Sequence, residues 1–480
     1  MLRSKINKIF SETKDFFTSS EKAVSKTMSV YKAINISQIK FERKNNWPEQ
    51  YSRADIFLTL LLQPLFSVKN IEEYLTSSLY AYLEAAKDTL YRFKKDSDID
   101  WRKLCNHINK KILEKIKKSG TVDTGTPSCL IIDDTDLAKT GKHIEHISRI
   151  WSHVAHRSLL GFKGLFLGYW DSKSFIGLDL SLHKEKGKNK KYPFGLKKTE
   201  LQSQYKKQRV KDSFGSEREE ELMTNKISNA IAMIKRAVKN KVEFEYLLVD
   251  SWFFCEKMIQ TAIEYKSHII GMCKIGKAKY IYDGKNKSAK QIIDDLRKKK
   301  EIKWNKSLGL FVAGTVVEYK GIKLKLFFCK NTKRGKWHLL ATTNTKLAIK
   351  KTYEIYSIRW SIEVFFKEAK QLFELGNSQC RDFDSQIADT TICMLQYNIF
   401  SLAKRFGSYE TLGELFRESK ESIIELTICK RLWGFLLELI NIIADLFDID
   451  PDELIEKILT CENTDNKYVK LMRLIELDAA

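Results

Sequence analysis

Four residues between positions 356 and 370 could act on one substrate: Tyr356, Arg359, Glu363 and Lys370, in the stretch Y-S-I-R-W-S-I-E-V-F-F-K-E-A-K. At about 100° per residue on a helix they fall within an arc of roughly 60°. Ile358, Ile362, Phe365, Ala369 and Leu372 fall on the opposite side. Such a helix packs through its apolar side and presents a phenol, a guanidinium, a carboxylate and an ammonium on the other. A plain solvated face would have the same look, so the stripe gains meaning only from what the rest of the chain sets against it.

Two other places offer carboxylates. C-L-I-I-D-D-T reads as a buried strand ending in Asp133 and Asp134, with Asp136 just beyond. F-E-Y-L-L-V-D reads as a second strand ending in Asp250, and S-W-F-F-C-E-K-M-I-Q starts a helix straight after it. Strand ends are where open α/β sheets commonly present functional groups. Three converging carboxylates repel unless a hard cation binds. Oxygen-only ligands suit Mg²⁺, which takes one or two carboxylates and keeps the rest of its shell for water and phosphate. Two such ions about 4 Å apart stabilise the entering and leaving oxygens of an in-line phosphoryl displacement. Arg359 and Lys370 would then neutralise flanking phosphates, with Tyr356 donating a hydrogen bond to another. Successive strand residues face opposite ways, so only one of Asp133 and Asp134 can face the metals.

The elements that must position these groups read as follows. Residues 1–120 form a helical N-terminal region able to serve as a DNA-binding module or as a structural bundle. Its pattern is helical from Tyr51 to about Lys117. T-V-D-T-G-T-P-S at 121–128 is a turn-rich joint. From there an α/β layer runs over 125–273. It comprises three antiparallel strands, including a pair in 164–183 joined at D-S-K-S, then a helix from about Glu217 to Lys239, then alternating strand and helix. Residues 274–345 are a β-rich insertion with a hairpin around Lys320-Gly321. The layer resumes over 346–404 with the stripe-bearing helix, and 405–480 is an acidic helical region suited to dimerisation. The fold class is α/β with a mixed sheet.

The chain has 84 Lys and Arg against 61 Asp and Glu, a formal net charge of +23. Residues 401–480 hold 10 basic and 16 acidic residues, a net of −6, which leaves +29 on residues 1–400. That concentration is the footprint of a polyanion-binding surface, nucleic acid above all. No stretch has the length and apolarity of a membrane span or the look of a targeting signal. The nine scattered cysteines contain no C-x-x-C pair, which argues against a zinc site or a disulfide framework and for a reducing cytoplasm. The histidines in G-K-H-I-E-H-I and at His153 and His156 match no zinc spacing.

The combination I-I-D-D-T, L-L-V-D-S-W-F-F and Y-x2-R-x3-E-x6-K resembles the DDE transposases of bacterial insertion sequences, and more narrowly the "insertion sequence four" group with its Y-R-E-K signature. The resemblance spans about Ser128 to Asn398. It implies an RNase H-like catalytic core interrupted by a β-rich insertion, and catalytic, metal-binding carboxylates Asp134, Asp250 and Glu363. Asp134 is chosen because the family's first Asp precedes Thr; Asp133 and Asp136 remain contenders. The implied cofactor is Mg²⁺, two ions, with Mn²⁺ able to substitute. The implied partners are double-stranded DNA, both terminal inverted repeats and target, and a second copy of the chain in a homodimeric synaptic complex, with no membrane. Tyr356, Arg359 and Lys370 would contact DNA, and Trp337, opening W-H-L-L, would stack on a base flipped from the DNA end. The segment 184–211, with 11 basic and 2 acidic residues, reads as a DNA-tracking loop through Lys190, Lys191, Lys197, Lys198, Lys206, Lys207 and Arg209. The reaction implied is strand cleavage at transposon ends and strand transfer in cut-and-paste transposition, in the bacterial cytoplasm at the nucleoid. The alternatives are a catalytically inactive or domesticated transposon-derived DNA-binding protein, or a related host nuclease or recombinase.

Overall fold

The computed structural model describes residues 50–421, apart from 67–69, 77–84, 122, 124 and 408, together with a few isolated positions outside that span. Most of the acidic region read at 405–480 lies outside the described residues, as does most of 1–49.

Helices α1 (Arg53–Leu62), α2 (Ile71–Thr76), α3 (Lys87–Lys95) and α4 (Trp101–Lys118) form the helical region read at 51–117. Asp100 starts α4 by accepting the Lys103 N–H at 2.9 Å, which satisfies one of the free donors of the first turn. Leu104, Ile108, Ile112 and Ile116 recur at helical spacing and are buried. Within the region Arg53 pairs with Asp96, and Lys94 ties it to the core through Asp389 of the helix Phe383–Phe406.

Strands β1 (Cys129–Ala138), β2 (Ser148–Ser152), β3 (Arg157–Trp170) and β4 (Phe175–His183) follow. After them come α5 (Lys198–Gln202), α6 (Phe214–Glu221), α7 (Lys226–Lys239), β5 (Tyr246–Val249), α8 (Glu256–Glu264) and β6 (His268–Cys273). The next stretch holds β7 (Lys279–Tyr282), β8 (Lys285–Ser288), α9 (Ala289–Lys298), β9 (Lys303–Asn305), β10 (Leu310–Tyr319), β11 (Ile322–Lys330) and β12 (His338–Thr342). Helices α10 (Ile349–Ser357), α11 (Trp360–Leu372) and α12 (Phe383–Phe406) complete the described core.

The sheet is mixed. β1 pairs antiparallel with β3 and parallel with β5, and β5 pairs parallel with β6. Its order is β2-β3-β1-β5-β6-β12-β11-β10-β7-β8, with β4 on β3 and β9 on β10. The stretch read as an insertion therefore continues the central sheet through the antiparallel β6–β12 pair, and it carries a helix, α9, within it. The turn expected at 171–174 joins β3 to β4, and Asp171 accepts the Lys173 and Ser174 N–H groups there.

β1 and β5 are buried on both faces over Cys129–Ile132 and Tyr246–Val249, as strands in the middle of a covered sheet must be. α12 is buried along nearly its whole length. It covers β4 where a bulge between Leu167 and Gly168 leaves backbone groups to be satisfied. Asn398 accepts the Gly177 N–H at 2.8 Å, and the Gly177 carbonyl accepts from Asn398 at 2.8 Å and from Asn109 of α4 at 2.9 Å. A Cβ on Gly177 would stand 2.5 Å from Met394, so this approach requires glycine. Among the described residues no helix is long and apolar enough to cross a membrane, and the described cysteines are free thiols.

Candidate active site at the strand ends

The last paired residues of β1 and β5 are Ile132 and Val249, so Asp133 and Asp250 are the next residue on each of two adjacent parallel strands. Asp133 stands opposite Phe166 of β3, and Phe166 packs on Phe365 and Phe366 of α11 at 5.5 and 5.4 Å between ring centres. Residues opposite one another on antiparallel strands share a face. Asp133 therefore lies on the face covered by α11, where Glu363 sits. Arg359 joins them: it donates to Asp133 at 2.8 Å and, through its other terminal nitrogen, to Glu363. Asp250 is fixed by accepting the Trp252 and Phe253 N–H groups through Oδ1 at 2.8 and 3.0 Å, an Asx turn that ends the strand. Burial, with the Asp250 charge nearby, pushes the Asp133 carboxyl up to about 7 even against the pull of Arg359.

Asp134, the residue favoured by the resemblance, points the other way. It pairs with Lys226, the first residue of α7, at 2.5 Å, and Lys226 stands 4.3 Å over the Trp252 ring. Asp136 is taken by Lys163 of β3. The structure thus joins Asp133 and Glu363 through Arg359, sets Asp250 on the neighbouring strand end within electrostatic reach of Asp133, and places Asp134 against a lysine on the opposite side of β1. Strand alternation is the physical reason.

The stripe at 356–370 is present, but it does not lie on one uniform helix. α10 ends at Ser357 and α11 begins at Trp360. Between them the backbone stays helical and tightens: Ile358 bonds to Ile355, Arg359 to Tyr356, Ser361 to Ile358 and Ile362 to Arg359, each three residues back. Ile362, Phe365 and Ala369 are fully buried, as the apolar side requires. Burial pushes the Tyr356 hydroxyl up to about 12, so it stays protonated and able to donate. Lys370 is exposed and donates to Thr135 of β1 at 2.7 Å. A cavity of about 600 Å³ opens beside Tyr356 and Arg359, bounded across from them by Lys330 and His338 of the β11–β12 pair. Trp337, next to His338, is half-buried: it packs edge-on to Phe328 at 6.5 Å with Lys330 4.5 Å over its ring.

The basic segment divides. Lys190, Lys191, Lys197, Lys198 and Lys206 are exposed. Lys207, partly exposed, and Arg209, with its side chain buried, are instead turned to carboxylates of the fold. The Arg209 side chain is 2% exposed and pairs with Glu145 at 2.7 Å and Asp384 at 3.2 Å. Lys207 pairs with Asp384 at 2.6 Å. These cations neutralise buried carboxylates, so their charge is spent inside. Arg209→Ala is expected to lower stability by about 3–5 kcal/mol, chiefly by leaving buried Glu145 without its guanidinium while Asp384 keeps Lys207. A thermal melt reads it, and a melt unchanged from wild type would restore Arg209 to the surface.

Among the described residues no three His, Cys, Asp or Glu side chains lie close enough together to hold one metal ion. Arg359 stands between Asp133 and Glu363 and keeps their oxygens apart. The donor chemistry nonetheless fits a hard dication: every donor is a carboxylate oxygen, two come from adjacent strand ends, and a cationic fork already lies between Asp133 and Glu363. Sequence reading missed Lys226, Trp252 and the β2–β3 hairpin. The V-D-S-W run carried a signal for Trp252; Lys226 carried none beyond a helix start after Asn225, which caps α7.

Residues 66–274 match the family model described as "DDE superfamily endonuclease". The match includes α3, α4 and the sheet from β1 to β6, with Asp133, Asp134 and Asp250, and ends before Glu363. No curated protein matches the chain. The match supports a transposase-like DDE nuclease acting on DNA.

Proposed function

We propose that this chain is a DNA transposase of an insertion sequence, with an RNase H-like core, cutting transposon ends and joining them to target DNA. The single observation that carries this reading is the placement of Asp133 and Asp250 on neighbouring parallel strand ends, facing the Arg359–Glu363 pair of α11. Asp133, Asp250 and Glu363 would hold two Mg²⁺ ions, or Mn²⁺ in their place. When bound, the ions activate the attacking oxygen and neutralise charge on the leaving one. Asp133 takes the first-carboxylate role here because it shares Glu363's face.

The protein's own groups do the rest. Arg359 exchanges a carboxylate oxygen for a phosphate oxygen when the DNA enters, keeping its planar fork filled. Tyr356 donates to a neighbouring phosphate. Lys370 sits where the strand leaves the site. Water attacks the phosphorus at the transposon end, the P–O3′ bond breaks, and the freed 3′-hydroxyl then attacks a target phosphodiester, displacing its 3′ oxygen. Trp337 stacks on a base drawn from the DNA end. Two copies pair two ends in a synaptic complex, with the acidic region at 405–480 as the pairing segment. The expected setting is the bacterial nucleoid.

Incubation with linear DNA bearing the repeats that flank the gene, a supercoiled plasmid and Mg²⁺ tests this. Cleaved ends with a free 3′-hydroxyl at the repeat edge are expected, followed by joined products in which that oxygen is bonded to target phosphorus and a target 3′-hydroxyl is released. Binding without nicking in any metal would point to an inactive DNA-binding relative. Lys370→Ala is expected to weaken binding and to lower the salt slope by about 1, the value for one phosphate contact. An unchanged slope would remove Lys370 from the DNA path.

A further inference from the structure

The β2–β3 hairpin extends well past the carboxylates. Asp133 pairs across to Phe166, and β3 begins nine residues earlier, at Arg157, so the strand runs about 30 Å beyond at roughly 3.3 Å per residue. β5 stops at Val249, level with Ile132, and β1 stops at Ala138, opposite Gly161. Beyond Gly161 only β2 and β3 continue, paired from Ser148–Gly161 to Ser152–Arg157. A Cβ on Gly161 would stand 2.3 Å from the Leu137 carbonyl oxygen, so glycine lets β3 pass from one partner to the other.

The tip of this two-stranded ribbon has no packing role. Val154 is 91% exposed and Trp151 45%. Arg149, His153, His156 and Arg157 are exposed around them, and residues 148–158 contain no acidic side chain. The 184–198 loop, with seven lysines and one glutamate, is fastened along β2: Glu185 accepts the Trp151 N–H at 2.9 Å, and Gly195 lies where a Cβ would touch the Arg149 stem at 2.8 Å. Ribbon and loop together make one cationic arm with an apolar point, projecting from the end of the sheet at which the carboxylates lie.

We infer that this hairpin is a groove-reading arm, laid in the major groove of the duplex being cut, about nine base pairs from the scissile phosphate at 3.4 Å per pair. A major groove about 12 Å wide admits a two-stranded β-ribbon. Arg149, Arg157 and the loop lysines lie along the phosphates, and Val154 meets base edges at the groove floor. The inference rests on the reading above in taking duplex DNA as the partner.

Val154→Asp tests it, since a carboxylate at a tip this exposed leaves the fold intact. Binding is measured by fluorescence anisotropy on a duplex extending about 20 base pairs either side of the cleavage point and on one extending about 5. Val154→Asp is expected to bind the long duplex about tenfold more weakly, the scale of one lost groove contact, and the short duplex like wild type. Val154→Leu is expected to match wild type on both. Equal affinity of Val154→Asp and wild type for the long duplex, or equal losses on both lengths, would overturn the arm. Nicking of the short duplex by wild type in Mg²⁺ is scored alongside. Its absence would count against the transposase reading alone, while a length-dependent loss would still assign the arm to duplex DNA.

Discussion

Glu363→Gln is expected to abolish strand cleavage, by about 10³-fold or more, while leaving DNA affinity within about threefold. A loss of that size is about 4 kcal/mol of transition-state stabilisation. Glutamine keeps the length and packing of the side chain on α11, where Ile362, Phe365 and Ala369 fix the helix to the sheet. What it removes is a charge that a divalent ion would need. Its bond from Arg359 persists, because an amide oxygen still accepts. The change therefore separates catalysis from folding and binding. Single-turnover cleavage on end DNA measures the first and anisotropy the second. Cleavage within tenfold of wild type would remove Glu363 from the reacting centre and return the stripe to a DNA-facing surface.

The second large effect separates two adjacent residues. Asp133→Asn is expected to match Glu363→Gln, and Asp134→Asn to keep cleavage within about tenfold of wild type. Asp133 lies beside Arg359 and within electrostatic reach of Asp250, whereas Asp134 is matched to Lys226 across the strand. Asp133→Asn also removes a buried carboxyl that burial already drives toward its neutral form, so the folded state loses little by it. Asp134→Asn leaves Lys226 without its charged partner at a partly exposed site, a loss of about 1 kcal/mol or less. The reverse order of activities would show that the reacting strand face is that of Lys226 and Trp252, and that the Asp-before-Thr rule of the resembled family governs here.

Much of the central sheet was legible because its strands are long apolar runs closed by turns, and because D-S-K-S gives a turn at 171–174 with its own hydrogen-bonding carboxylate. The stripe was legible for a similar reason: its apolar half had to pack on the core, and Ile362, Phe365 and Ala369 are fully buried while Ile358 and Leu372 are partly so. Which aspartate shares its face was not, since a doublet at a strand end supplies both parities and only the register with β5 decides between them. The tightened turn at 358–359 carries no glycine or proline; it arises in the folded protein, where Arg359 is held by Asp133, 226 residues away in sequence. The internal pairing of Arg209 was hidden for a related reason. Sequence shows the sign of Arg209 but not Glu145 and Asp384, which lie 64 and 175 residues away and claim it. The β2–β3 hairpin was missed because its tip, S-H-V-A-H, has none of the Gly, Asn or Pro signals of a tight turn, and His156 takes a positive φ of 50° instead.

The measurement that bears most directly on the central claim is single-turnover cleavage of end DNA by the wild-type chain in Mg²⁺, Mn²⁺, Ca²⁺ or chelator. Nicking at the repeat edge in Mg²⁺ and Mn²⁺, with only binding in Ca²⁺ and in chelator, is the predicted result. Nicking that persists in chelator would contradict a carboxylate-held metal site at the ends of β1 and β5.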